Sequence, residues 1–149
     1  MGNRHRGTKE EIMAMGAYVK LLRAAESVST RVHRYLADEN LSVRQFGVLE
    51  ALYHTGPLHQ RDIASKLLVS GGNITMVLDN LGKNDLVKRT QDPSDRRHNT
   101  VSLTEKGKKL MNRIFPRHAS RIVQEMGVLT EKDQEALGDL CRKLGKGER

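Results

Sequence analysis

Apolar residues recur every three or four positions from residue 12 to residue 36: Ile12, Met15, Val19, Leu22, Val28, Val32 and Leu36. That period predicts one long helix over residues 8–38, opened by Thr8 and Glu11 as a capping box and broken at Asn40 and Ser42. Ser42 with Gln45 forms a second box, and Phe46, Leu49 and Leu52 carry a helix as far as Thr55-Gly56-Pro57. Ile63, Ala64 and Leu67 then mark a short helix over residues 60–68. After a brief turn, Ser70 is placed to cap another, whose buried stripe is Ile74, Val77, Leu78 and Leu81. Two helices so joined form a helix-turn-helix pattern.

The period then falls to two. L-V-K-R-T and T-V-S-L-T alternate around the polar turn D-P-S-D-R-R-H-N, so residues 86–103 read as a β-hairpin, which after a helix-turn-helix is a wing. Thr104 caps a further helix to about Met126, carrying Leu110, Met111, Ile114, Ile122 and Val123. Pro116 should kink this helix rather than end it, because the apolar pattern resumes beyond it. Thr130 and Asp133 open a last helix with Leu137, Leu140 and Leu144 on one face. The expected fold is mainly α with a small β-wing, in a single domain over residues 1–149. A winged helix-turn-helix lobe (42–103) is flanked by N- and C-terminal dimerisation helices (8–38 and 104–146). The flanking helices have apolar faces that the lobe does not require. Either they pack on their own domain or a second copy covers them.

Composition narrows the partner. With 26 Lys and Arg against 18 Asp and Glu, the net charge is +8, which favours a polyanion, either nucleic acid or an anionic membrane surface. No apolar run approaches the roughly 18 residues that span a bilayer. The start M-G-N-R-H-R-G-T-K-E lacks an apolar signal core, and Arg6 stands where a myristoylation motif after Gly2 needs Ser or Thr, so a cytoplasmic protein off the membrane is expected. Cys141 cannot form an internal disulfide and, among Leu137, Leu140 and Leu144, reads as a small buried hydrophobe. His33, His54, His59, His98 and His118 show no metal-ligand spacing, so neither metal nor cofactor is expected. Asp92 and Asp95 are the only close carboxylates of interest, and beside two arginines in a short turn they suit contact better than catalysis. No enzyme is expected.

S-G-G-N at 70–73 invites a nucleotide reading, which its spacing refuses: it fits neither G-x-x-x-x-G-K-[ST] nor G-x-G-x-x-G, and it follows a helix. Without Cβ atoms, Gly71 and Gly72 instead let the first-turn N–H groups approach a DNA phosphate. On the wheel, Gly72, Met76, Asp79 and Lys83 oppose the core, with Asn73, Thr75 and Asn80 on the flanks. Asn73 suits adenine, Met76 or the Thr75 methyl suits a thymine methyl, and Lys83 suits a phosphate. Each of these positions is also compatible with an ordinary solvated side chain. Asp79 would repel phosphates unless paired, with Arg89 as mate. At the wing tip Arg96 and Arg97 can enter a minor groove, Asp95 bracing one guanidinium in a bidentate pair.

Four blocks carry a resemblance over essentially the whole chain: Q-R-D-I-A-x-x-L at 60–67, S-G-G-N-I-T-M-V-L-D-N-L at 70–81, L-V-K-R at 86–89, and D-P-S-D-R-R-H-N-T-V-S-L-T-E-K-G at 92–107. The chain resembles the MarR family of transcriptional regulators. The resemblance implies a homodimer built from the first and last two helices, binding a pseudo-palindromic double-stranded operator. The helix after Ser70 would read the major groove and Arg97 would probe the minor groove. With Gln60, Arg61 and His98 from the matching blocks, the DNA-facing set is Gln60, Arg61, Ser70, Gly71, Gly72, Asn73, Thr75, Met76, Asn80, Lys83, Arg89, Asp95, Arg96, Arg97 and His98. A small aromatic or phenolic effector is implied between the dimer helices and the DNA-binding lobe, where His33 with Tyr35, or Tyr53 with His54, are candidate lining residues. Gly71 and Met76 stand where many relatives carry arginine, and Leu68 and Asp85 where turn glycines are frequent. No cysteine lies near the first helix, the usual sensing position of thiol-responsive members. A nonspecific or architectural DNA binder without an effector is the alternative.

Overall fold

The computed structural model describes residues 6–67, 71–95 and 97–147. Its elements are α1 (Lys9–His33), a 3-10 segment (Arg34–Glu39), α2 (Val43–Thr55), β1 (Leu58–His59), α3 (Gln60–Leu67), α4 (Gly71–Lys83), β2 (Val87–Gln91), β3 (Asn99–Leu103), α5 (Glu105–Met126) and α6 (Glu131–Lys146). The chain divides into two compact units, one holding residues up to Arg34 and from Ser120 onward, the other Tyr35–Ala119.

In the first unit the two expected capping boxes are formed. Thr8 and Glu11 open α1, and Thr130 and Asp133 open α6, each pair exchanging side-chain and backbone bonds. Arg31 Nε donates to Glu125 at 2.6 Å. Little of the apolar surface is covered: α1 buries only Val32 and α6 buries nothing. Ile12, Met15, Tyr18, Leu22, Val123, Leu140 and Leu144 are all exposed. Cys141, expected as a small buried hydrophobe, is exposed as well, because the leucine face of α6 on which it sits is uncovered within the chain.

The second unit has a continuous core of Phe46, Val48 and Leu49 from α2, Ile63 from α3, Ile74, Leu78 and Leu81 from α4, Val101 from β3, and Met111 and Ile114 from α5. Residues 34–39 tighten from the predicted α-helix into a 3-10 turn, which buries both Tyr35 and Leu36. Left-handed Asn40 (φ 55°) then closes it, with Leu41 N–H reaching back to Leu36. Ser42 and Gln45 make the expected box on α2, and Gly56 (φ 79°) ends it. Glu39 takes both Nη atoms of Arg113, at 2.9 and 2.7 Å, and this ion pair holds its carboxyl below the ordinary range. Pro116 leaves α5 continuous. At the buried ring of His118, Nδ1 meets the Tyr35 hydroxyl at 3.2 Å.

The wing is a three-stranded antiparallel sheet in the order β1-β3-β2, with Leu58 opposite Val101 and Arg89 opposite the same residue on the other side. Two-residue β1 escaped the sequence reading because alternation needs at least four residues to register. The base of the wing is closed by one junction. Asp85, in the left-handed region (φ 58°), ends α4 with paired bonds from its own N–H to Gly82 and from Leu86 N–H to Leu81. Thr104 then bonds Leu86 O through its N–H (3.1 Å) and Asp85 O through its hydroxyl (2.6 Å), and that hydroxyl accepts from Gly107 N–H. A Cβ on Gly107 would lie 2.2 Å from the Leu86 carbonyl oxygen, a backbone atom that cannot step aside.

Gly107→Ala should therefore destabilise the lobe by about 2–3 kcal/mol, seen as an earlier urea midpoint, since overpacking against backbone forces the junction apart. Asp85→Gly should move the same midpoint the other way by about 0.5–1 kcal/mol, relieving a left-handed non-glycine residue.

Candidate nucleic-acid interface

Once Ile74, Leu78 and Leu81 are buried, α4 is left with an outer face of Gly72, Asn73, Thr75, Met76, Asn80 and Lys83, all exposed, with Met76 at 65%. Gly71 opens the helix. A Cβ at Gly71 or Gly72 meets nothing within 4 Å, and neither residue has a positive φ. Neither packing nor backbone geometry within the chain calls for glycine at these positions. Thr75 Oγ1 donates to the Gly71 carbonyl (3.0 Å) and accepts from Gln60 Nε2 (2.8 Å). This fastens the start of α4 to α3 and leaves the Thr75 methyl as the uncommitted part of the side chain. From the other side, Arg89 on β2 donates to Asp79 on α4, the pairing expected from sequence. Helix α4 is thus tied to both its neighbours. Arg61 is exposed on α3. Ser70 and Arg96, both in the expected contact set, and Leu68 lie outside the described residues.

The wing turn is organised by two aspartates. Asp92 accepts from Ser94 N–H (2.9 Å) and Oγ (2.7 Å), an Asx turn that follows from its place before Pro93 and Ser94. Asp95 accepts from Arg97 three times: from the backbone N–H at 3.0 Å, from Nε at 3.1 Å and from Nη2 at 3.1 Å. The bidentate brace expected from sequence is present. The Arg97 side chain stays 88% exposed, so it is directed without being covered. His98 Nε2 lies 3.4 Å from the second Asp95 oxygen.

The lobe also contains a cavity of about 540 Å3 with Leu52, Pro57 and Leu103 as its apolar wall, Lys88 and Lys108 as cations, and Tyr53 and Asn112. The Tyr53 hydroxyl donates to Asn112 Oδ1 at 2.8 Å. Lys88 and Ser102 of this lining belong to the wing strands.

A model of the MarR family matches residues 41–98. The regulator MhqR of Bacillus subtilis is 35% identical over 128 residues, 86% of this chain and 88% of the relative. YkoM of the same organism, an HTH-type regulator without a characterised role, is 38% identical over 138 residues, 92% and 90% of the two chains. The chain belongs to the MarR family. Among solved structures, BpsR of Bordetella bronchiseptica, whose DNA binding is regulated by 6-hydroxynicotinic acid, superposes with a TM-score of 0.78 at 27% identity, covering 87% of this chain and 98% of that one. MarR proteins are winged-helix transcriptional regulators that bind DNA, not enzymes.

With a MarR frame, the places of the expected residues sort clearly. Of the four effector candidates, Tyr53 alone lines the lysine-rimmed cavity. Tyr35 is a core residue, 2% exposed, with its hydroxyl on His118. His54 stacks edge-on with Phe115 and Tyr53. His33 belongs to the first unit and bonds Ser29. The left-handed φ of Asp85 gives the physical reason why a turn glycine suits that position. Sequence reasoning weighed His59 only as a metal ligand and did not single out Lys88, Lys108 or Asn112: the first sits on a strand too short to detect, and the others join only when α2, the wing and α5 meet.

The hydrogen bonds from Arg97 hold the Asp95 carboxyl below the ordinary carboxylate range, and those from Ser94 do the same for Asp92. A lowered folded-state value stabilises the turn above that range, and the contribution is lost as pH falls through the folded midpoint. An NMR titration should therefore place the Asp95 midpoint below its ordinary value of about 3.9, and Arg97→Ala should move it back up.

Proposed function

We propose that this MarR protein is a homodimeric, sequence-specific repressor of a pseudo-palindromic operator, released or weakened by a small aromatic or phenolic molecule. The observation that carries the DNA reading is the wing arginine, exposed yet braced by three bonds to Asp95, next to a recognition helix tied on one side by Gln60–Thr75 and on the other by Arg89–Asp79. In this reading α4 enters the major groove with Asn73, Thr75, Met76 and Asn80 toward base edges. Gly71, Gly72 and Lys83 lie at phosphates, and Arg97 in the flanking minor groove. The open space outward of both glycines supports close approach of the helix tip to DNA. Arginine is absent from this helix tip, so specificity leans on the wing and on DNA shape.

The exposed apolar faces of α1, α6 and the end of α5 support the homodimer, because a second copy would remove Met15, Leu22, Val123, Leu140 and Leu144 from water. The lysine-rimmed cavity supports the effector: it offers an apolar wall for a ring, the Tyr53–Asn112 pair for a hydroxyl, and Lys88 and Lys108 for an acid group. A ligand seated there touches β2 and β3, the strands that flank the turn carrying Arg97, and biases where Arg97 points. Among the described residues, no helix is long and apolar enough to cross a membrane.

Footprinting on the flanking genomic DNA should show two protected half-sites about one helical turn apart, and Arg97→Ala should weaken operator binding by about ten- to a hundredfold while sedimentation still reports the dimer. Equal affinity for random DNA with no protected palindrome would identify an architectural binder instead. In a thermal-shift panel of aromatic acids and phenols, a ligand at a hundred times its Kd should add about 2.7 kcal/mol of stability. Lys108→Glu should erase that shift for the acids.

A further inference from the structure

Between α3 and the wing lies a second cleft, of about 530 Å3, into which His59, Gln60, Arg61, Ser65, Arg97 and His98 all open. None of its described lining residues is acidic. The rings of His59 on β1 and His98 in the wing turn have centroids 5.7 Å apart. His59 Nδ1 is buried and has no hydrogen-bond partner, an unsatisfied polar atom of the kind that folded proteins rarely leave without a reason. Two imidazoles, two guanidiniums, the amides of Gln60 and Asn99 and a hydroxyl form a donor-rich site with no carboxylate among its described lining residues.

We propose that this cleft seats a backbone phosphate of duplex DNA and that His59 and His98 take up a proton between them when it is occupied, so that DNA binding is coupled to pH near neutrality. The inference rests on the family's DNA binding and not on operator selectivity. A phosphodiester has acceptors only and one negative charge, and an imidazolium donates from both nitrogens where a neutral ring donates from one. The surroundings set the sign. Arg61 on α3, Arg97 beside His98, and each histidine toward the other oppose a second positive charge while the cleft is empty. Asp95, 3.4 Å from His98 Nε2, and Asp92, whose carboxylate interacts with His59, favour it, and the first turn of α4 brings only Gly71 and Ile74 to the lining. A phosphate tips this balance toward the charged form, and histidine is the side chain suited to changing charge around physiological pH. Hydrogen bonds from Arg97 and Ser94 keep both aspartates ionised throughout that range, so the carboxylates add no pH dependence of their own there. The proton taken up is released again when DNA leaves.

The test is fluorescence anisotropy with a mixed-sequence duplex of about 30 base pairs, at fixed ionic strength between about pH 6 and pH 8, using the full chain. Wild-type Kd should weaken by about tenfold across that window, one linked proton per site giving at most tenfold per pH unit. His59→Gln/His98→Gln should change by less than about twofold over the same window, and His98→Gln alone, a substitution in the wing turn, by an intermediate amount. Arg97→Ala should bind more weakly at every pH with the slope kept. Calorimetry in buffers of different ionisation enthalpy should record net proton uptake by wild type and less by the double variant, with melting curves confirming that each chain is folded. A flat wild-type profile overturns the proposal, as does a double variant that keeps the full slope. Because the duplex is not an operator, loss of operator selectivity would leave these outcomes unaffected.

Discussion

The wing and α4 share one closed junction, where Asp85 and Leu86, which link α4 to β2, are bonded through Thr104 to the first turn of α5. Its hydroxyl serves Asp85 and Gly107 at once, its N–H serves Leu86, and the absence of a side chain on Gly107 lets the helix start against the Leu86 carbonyl. Thr104 thereby satisfies the carbonyls of Asp85 and Leu86 and one N–H of the helix that follows it. Everything further out inherits its direction from this point. Val87 pairs with Leu103, the register propagates to Gln91 and Asn99, and the turn that carries Arg97 projects from there.

Most of this architecture was legible because it rests on short-range rules. The boxes at Thr8, Ser42 and Thr130 are local hydrogen bonds between residues three apart, and the stripes of α2, α3 and α4 are local periods. The Asp95–Arg97 brace lies within a single turn. What escaped depended on distance along the chain. The β1 strand exists only because Leu58 and His59 meet Val101 and Thr100, and the Tyr53 cavity joins residues from position 52 to position 112. In sequence Tyr35 is a candidate effector-lining residue, since the pattern of an amphipathic helix does not separate pocket residues from core residues. The 3-10 tightening after His33, invisible to a 3.6-residue period, decided it in favour of the core.

The two units manage their apolar surface differently. The lobe closes a core from α2, α3, α4, α5, the 3-10 segment, β2 and β3, whereas α6 buries none of its leucines. The two parts of one chain thus differ: the lobe covers its apolar side chains, and the terminal helices leave an apolar face available. Cys141 sits on that available face, and its environment is fixed by whatever covers the leucines beside it.

An arginine at the tip of a hairpin ordinarily samples many rotamers and gives up about 2 kcal/mol of rotamer entropy when it is fixed. Arg97, almost fully exposed, is already narrowed to a few orientations by the two oxygens of Asp95. The ordering is therefore met when the turn folds, supported by the Asx geometry of Asp92 and Ser94, and little of it remains to be met at the moment of encounter. Preorganisation of this kind lets a single flexible residue present its charge in a fixed direction.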